Sequence, residues 1–531
     1  MDGPLTRLGY PELSSRCLRV ASGFASLGIK RGDRIGVILP NGVAFIEAWF
    51  AASILGAVFV PFNFALKGEM LAFQLEDSGI SLLCVDSRLA GNLEAVRIPR
   101  NVKTIITARE GSDDSEHDIL TTGVIHREMQ ELRGCAEYRL PGESGAISSH
   151  RNDQSDLQPA AMLYTSGTTG SPKGVVLAQR AYLNRTYEVT DLLGIRSGGG
   201  DMVFLNALPM FHTSGQVMTT LPAFLNGGTV VIEEWFHASR FWKIAAGTGA
   251  RFSFLLMTML NSLLKRKEAY VNSSLELILC GGASEGVWRE FEESFMVKLL
   301  EGFGMTETCG IAIFNRLDDF RRGSIGKPLP SMDAKIEFNG FPEDEAPPET
   351  LGEICLRQKV AGTMMLGYHQ NGLSEMPAGI AADWLRTGDV GYRDRDGYFY
   401  FVERKKDIIR RRGENIAPSD IERTVSLHPL VLEGCAIGEE SELGEEEVVI
   451  YLVLKDGEKS LRGLEREFLE WLDGQLPFYM MPKKIRIVEA LPKTANQKIQ
   501  RARVREGSEL IVTSEIDPEA LGFKPSRSPL A

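Results

Sequence analysis

The sequence holds no Cys-x-x-Cys pair and no His-x-x-x-His pair. Its seven cysteines, at 17, 84, 135, 280, 309, 355 and 435, lie far apart, and its seven histidines show no zinc-type spacing. Neither a disulfide framework nor a zinc centre is expected. A long hydrophobic run is also missing. The longest, Ala48 to Val60, is broken by Ser53 and Gly56 and closed by Pro61, short of the roughly 18 residues a membrane span needs. Nor is there an excess of positive charge: 59 Lys+Arg against 71 Asp+Glu leave −12, which argues against a general nucleic-acid binder. The opening Met1-Asp2-Gly3-Pro4 has no basic region leading into an apolar stretch, and Ser528-Pro529-Leu530-Ala531 is no retention or peroxisomal signal. A cytoplasmic location is therefore expected.

What is present is ordinary globular material, 43% hydrophobic and 24% charged over 531 residues, enough for several subdomains. Apolar residues recur at helical spacing from Glu12 to Leu27, and Gly28 supplies the stop. Arg34 to Leu39 then reads as a short buried strand. The alternation repeats at Glu47 to Leu55 before Ala57 to Val60, at Arg240 to Ala246 before Phe252 to Met257, and at Trp288 to Leu300 after Leu275 to Cys280. Helices alternating with apolar strands imply layered α/β subdomains with largely parallel sheets.

Between Glu110 and Asp156 the pattern collapses into polar sequence that reads as surface connection. After Leu351 the texture turns to β, with Glu353 to Leu356 as a strand and Tyr392 to Val402 as a hairpin about Asp396-Gly397. The basic run Lys405 to Arg412 follows, and for Arg410 to Arg412 a solvated surface is expected. Ser419-Asp420-Ile421-Glu422 has the Ser-x-x-Glu form of a capping box. Strand and helix patterns then alternate to about Val504, with Val448 to Leu454 and Leu461 to Leu472 as examples, and the residues from Ser514 read as a loose tail.

The segment Tyr164-Thr165-Ser166-Gly167-Thr168-Thr169-Gly170-Ser171-Pro172-Lys173-Gly174 follows an apolar strand, Ala160 to Leu163. Its glycines let backbone N–H groups converge on an anion, its hydroxyls add donors, and Lys173 supplies charge. It suits polyphosphate, although Gly-Lys-[Ser/Thr] is absent; the alternative is a Ser/Thr/Gly-rich surface turn.

With this loop the chain resembles the adenylate-forming superfamily of acyl-CoA synthetases, aryl-CoA ligases, luciferases and peptide-synthetase adenylation domains. The resemblance covers nearly the whole chain. It implies that Thr165, Ser166, Gly167, Thr168, Thr169, Gly170 and Lys173 hold the ATP phosphates and that Thr165 helps hold Mg²⁺. Gly302-Phe303-Gly304-Met305-Thr306-Glu307 resembles the motif whose aromatic stacks on adenine, whose Thr reaches the α-phosphate and whose Glu binds Mg²⁺. Gly281-Gly282-Ala283 resembles the stretch along the adenine. Asp389 of Arg386-Thr387-Gly388-Asp389 would accept the ribose hydroxyls, with Arg404 beside it; Glu403 replaces the usual Gly.

Lys406 falls at the family's hinge, and Gly413, Glu414 and Asn415 match the loop lining the thiol channel. Lys498, in Pro492 to Ile499, would reach the site during adenylation, with Gln497 in place of the usual Gly. Phe211-His212 stands where amino-acid-activating relatives carry Phe-Asp, so a plain carboxylic acid is favoured and His212 is a candidate catalytic residue.

These matches imply an N-terminal AMP-binding domain over 1–405, β-rich from about 324, a mobile α+β C-terminal domain over 406–512 and a tail over 513–531. They imply an acid–CoA ligase for a medium- or long-chain fatty acid or other non-amino acid, using ATP, coenzyme A and Mg²⁺, and leave a homodimer open. The first helix comes almost at the start, so an edge element of the large domain is expected to be missing. Carrier-protein loading, a luciferase-like oxygenase and a silent binding homologue are the alternatives.

Overall fold

The stretch 34–38 becomes a central strand of a mixed sheet, parallel to both of its neighbours, in the computed structural model. The structure describes residues 6–526 except 95, 109–123, 140–154, 166–171, 196–201, 284, 338–344, 370–383, 405–407, 442–443, 456–457, 494–498 and 508–509. Among these, eight strands form the first sheet, in the order 367–368, 173–178, 159–165, 58–61, 34–38, 82–86, 104–108 and 125–128. Residues 35–38 and 82–85 of the strands Arg34–Ile38 and Leu82–Asp86 are covered on both faces, which is why those stretches are apolar rather than alternating. The helix Val43–Leu55 is apolar nearly all round and is buried accordingly. It takes Glu47 into the core, where Arg133 meets the carboxylate at 2.7 Å. Arg133 closes the helix Met129–Arg133, whose Met129 and Leu132 are buried. That part of the 110–156 stretch is packed structure rather than surface connection.

The second sheet runs 229–232, 203–206, 252–256, 277–281 and 298–305 in parallel, then reverses direction at 310–314 and 327–328. The preceding helix is Glu285–Phe295 rather than reaching Leu300: Met296 turns left-handed at φ 57°, and Lys298 opens the strand. A third, antiparallel sheet joins 332–337, 352–358, 385–393 and 399–404. Its last hairpin turns as expected at Gly397, φ 86°, with Asp394 Oδ1 accepting the N–H groups of Asp396 and Tyr398.

Beyond it lie the short hairpin 409–411/414–416 and a mixed sheet of 431–440, 446–454, 484–488 and 512–516. Three expectations change here. Val512–Ile516 pairs with Lys484–Val488 and buries Ile516, so 514–516 belong to the C-terminal sheet rather than to a loose tail. The helix Pro418–Val425 has Ala417 as its N-cap with no side-chain cap, and Glu422 instead accepts from Ala436 N–H and from Arg501. Arg411 is buried rather than solvated: its guanidinium donates to the Tyr479 and Met481 carbonyls and pairs with Glu447. The architecture is the expected mixed α/β arrangement, a large N-terminal domain followed by a small C-terminal one.

Candidate active site

A cleft of about 1310 Å³ is lined by Thr165, Phe211, His212, Gly282, Phe303–Glu307, Thr387, Gly388 and, from the C-terminal side, Gly413–Asn415 and Tyr479. Thr165 ends the strand Pro159–Thr165 and faces Lys173, which opens the return strand. The turn between them, with Ser166, Gly167, Thr168, Thr169 and Gly170, lies outside the described residues. Lys173 Nζ sits 5.0 Å from the ring centroid of Tyr368, and the Tyr368 hydroxyl donates to Glu307 Oε1 at 2.8 Å.

Two parallel strands deliver the glycine-rich segments side by side, with Gly281 opposite Gly302. The missing side chains are required here. A Cβ on Gly302 would lie 1.8 Å from the Phe314 ring, and one on Gly304 would lie 2.0 Å from the Gly310 carbonyl oxygen. Gly282 has φ 84°, a left-handed conformation that glycine adopts without strain. Phe303 stacks at 26° on Phe401. Glu301 accepts from the backbone N–H groups of Gly282 and Ala283, which ties the two segments together, and burial pushes its carboxyl well above the usual range. Thr306 and Glu307 lie on one turn, which Thr308 closes by accepting the Met305 N–H. Behind it the buried Arg185 donates to the Thr308 carbonyl at 3.0 Å.

Asp389 is wholly buried opposite Arg404 in the 385–404 hairpin, and its neighbours Thr387 and Gly388 face the cleft. The Arg404 side chain, Lys406 and Lys498 lie outside the described residues.

The C-terminal hairpin enters the cleft from the other side. Gly413 turns it at φ 81°, close enough that a Cβ would lie 2.6 Å from Leu256 Cδ1. Glu445 holds the Gly413 N–H at 3.3 Å. Glu414 lies 3.2 Å from His212 Nε2 and accepts from Asn63 Nδ2 at 3.4 Å. The His212 ring packs on Phe211 with centroids 4.5 Å apart. The structure thus gathers Thr165, His212, Gly282, Phe303, Gly304, Met305, Thr306, Glu307, Gly413, Glu414 and Asn415 on one cavity. Sequence reasoning missed Tyr368, Glu301, Asn63 and Tyr479. Only Glu301 carried a signal, as the one ionisable residue directly before the glycine-rich segment.

The AMP-binding enzyme family matches residues 2–369, and the AMP-binding enzyme C-terminal domain matches 420–498. The crotonobetaine/carnitine–CoA ligase of Salmonella heidelberg is 30% identical over 512 residues, covering 95% of this chain and 94% of that protein. A double mutant of the o-succinylbenzoate CoA synthetase of Bacillus subtilis, bound with its product analogue OSB-NCoA, superposes with a TM-score of 0.75 at 28% identity, covering 93% of each chain. The same enzyme with its acyl-adenylate intermediate scores 0.60, covering 93% of this chain and 92% of that one. The fatty acyl CoA synthetase of Mycobacterium tuberculosis scores 0.63 at 25% identity, covering 95% of this chain and 93% of that one. With the cleft, the paired glycine segments and these end-to-end similarities in agreement, the chain belongs to the AMP-binding enzyme family, alongside CoA ligases of the same domain order.

Proposed function

We propose that the protein is an ATP-dependent acid–CoA ligase working in two half-reactions. A carboxylate oxygen attacks the α-phosphorus of ATP and pyrophosphate leaves with the electron pair of the broken P–O bond. The sulfur of coenzyme A, its proton lost, then attacks the acyl carbon, and AMP leaves with the pair of the broken C–O bond.

The observation that carries this reading is the lodging of Gly413–Asn415 in the cleft shared by Thr165 and Glu307, with Glu414 on His212. One cavity then has a wall supplied by the C-terminal domain, and exchanging that wall lets it serve two chemistries in turn. The chain lies nearer to the relative carrying a CoA-type product analogue, 0.75, than to the same relative carrying the acyl-adenylate, 0.60. This supports a thioester-forming arrangement, with the pivot at Lys406 separating 1–405 from 406–512.

In this reading Thr165–Gly170 and Lys173 take the β- and γ-phosphates, and Gly282, Ala283, Phe303, Gly304 and Met305 take the adenine. Asp389 and Arg404 take the ribose, Thr306 meets the α-phosphate, and the Lys498 ammonium offsets the charge that builds at the reacting phosphate. Glu307 and Thr165 offer a carboxylate and a hydroxyl, the hard oxygen donors that Mg²⁺ prefers. A bound Mg²⁺ would neutralise charge on the triphosphate.

In this reading the Glu414 carboxylate beside His212 belongs to the thioester-forming arrangement, so an α-ammonium would lack a carboxylate partner while the adenylate forms, at a cost on the order of several kcal/mol. The acid is therefore a non-amino one, and the apolar lining from Met218, Phe254 and Ile311 favours a medium- or long-chain fatty acid or an acid of similar bulk. Pyrophosphate release across fatty, aryl and carnitine-type acids, with and without coenzyme A, tests the reading. Acid-dependent release with acyl-CoA formation is expected; no release with any acid, or oxygen uptake without coenzyme A, overturns it.

A further inference from the structure

Residues 365–369 are stitched to both halves of the nucleotide side of the cleft. Met365 N–H donates to the Glu307 carbonyl at 2.7 Å, while Leu366 and His369 N–H donate to the Val176 and Gly174 carbonyls at 2.8 and 2.7 Å. Tyr368 is thereby fixed between the return strand of the phosphate turn and the turn that carries Glu307. Its two ends meet different partners: the ring lies under Lys173 Nζ, and the hydroxyl donates to Glu307 Oε1. A carboxylate oxygen only accepts, so across 2.8 Å the phenol is the donor.

We propose that Tyr368 is a positioning residue for nucleotide-bound Mg²⁺: its hydroxyl fixes one oxygen of Glu307 and so sets the plane in which that carboxylate meets the cation, while its ring holds Lys173 toward the phosphates. The inference rests on the assignment of Glu307 to Mg²⁺ made above. A small cation that demands near-ideal octahedral geometry is sensitive to the orientation of each ligand. Hydrogen-bond partners that orient a metal ligand are typically worth 10–100-fold in metal affinity. The two ends of the side chain can be separated experimentally, since Phe keeps the ring and removes only the hydroxyl.

The test is calorimetric binding of the non-hydrolysable analogue α,β-methylene-ATP to the full chain, with and without Mg²⁺. Tyr368→Phe is expected to lose about tenfold of the affinity gained from Mg²⁺, while metal-free binding stays at the wild-type level and reports an intact fold. The Mg²⁺ concentration giving half-maximal pyrophosphate exchange should rise by a similar factor with the KM for the acid unchanged. Tyr368→Leu should weaken metal-free binding as well, because the ring beneath Lys173 is gone. In a Glu307→Gln background Tyr368→Phe should change nothing further. A wild-type gain from Mg²⁺ that survives undiminished in Tyr368→Phe overturns the role of the tyrosine alone. A wild type that gains nothing from Mg²⁺ overturns the assignment of Glu307 and the tyrosine with it.

Discussion

His212 Nε2 lies 3.2 Å from Glu414 Oε2, and the two residues belong to different domains. His212 follows the strand Val203–Asn206 of the large domain, whereas Glu414 opens the second strand of the C-terminal hairpin. Contact between them therefore reports the orientation of the small domain. Glu414→Gln keeps the shape and removes the charge. A hydrogen bond to a charged group contributes about 1.5–3 kcal/mol, so thioester formation from supplied acyl-adenylate should slow by about tenfold or more. Pyrophosphate exchange should be spared. Equal loss in both would mean that the contact is not specific to one orientation.

Gly413 offers a check that does not depend on charge. Its φ of 81° favours glycine, and an added Cβ would meet Leu256. Gly413→Val should therefore strain the turn and keep the hairpin out of the cleft. Acyl-CoA formation should fall while acid-dependent pyrophosphate exchange continues; unaffected thioester formation would remove Gly413 from the channel.

The sheets were legible because strand residues buried on both faces form a continuous apolar run, as at 35–38 and 82–85. The glycine segments were legible as resemblance, and the close approach of Phe314 to Gly302 gives that resemblance a steric reason. Arg411 was misread because its partners are carbonyls 68 and 70 residues away, contacts that no local charge pattern encodes. Tyr368 was missed for the same reason, its partner Glu307 lying 61 residues earlier. Residues 513–516 were taken for tail because 513–515 are polar and only Ile516 is turned to the core.

Arg185 supports the Glu307 turn from behind. It is wholly buried, pairs with Glu188 at 2.6 Å and donates to the Thr308 carbonyl. Arg185→Met leaves the Glu188 carboxylate without its cation, and breaking a buried pair from one side costs about 3–5 kcal/mol. Denaturant unfolding should show a loss of that order. Arg185→Met with Glu188→Met should recover only part of it, since Glu188 also accepts from Ser331 N–H at 2.8 Å. A single variant as stable as wild type would show that the pair contributes nothing.

Asp420 gives the C-terminal domain a pH dependence of definite sign. Burial pushes its carboxyl up to about 6, partly offset by Arg423, whose guanidinium donates to Oδ1 at 2.9 Å. The folded state therefore holds this proton more tightly than the unfolded chain does. The stability it confers is full below the ordinary carboxylate value and is lost as pH rises through about 6. The difference between the ordinary carboxylate value and about 6 corresponds to about 3 kcal/mol. Asp420→Asn removes this titration, so the Tm of the variant minus that of wild type should become more positive between roughly pH 4 and 7. A difference constant across that range would contradict it.

The loop that carries Lys498 has its base on the C-terminal sheet. The backbones of Lys493 and Ile499 bridge to each other, and Lys493 Nζ pairs with Glu433 at 2.7 Å. The C-terminal residues lining the cleft include the Gly413–Asn415 hairpin but neither Lys493 nor Ile499. If one pivot at Lys406 exchanges the two walls, Lys498 acts while the adenylate forms and the hairpin acts while the thioester forms. Lys498→Ala should then cost on the order of 10²–10³ in adenylation, the usual effect of removing a group that stabilises developing charge. Thioester formation from supplied acyl-adenylate should be nearly unchanged, the opposite pattern to Glu414→Gln. Combining the two variants should impair both half-reactions, each by about its single-variant factor, because in this reading the residues work in different orientations. Loss of both half-reactions on Lys498→Ala alone would place the ammonium in the cleft throughout, and a single fixed orientation would replace the exchange.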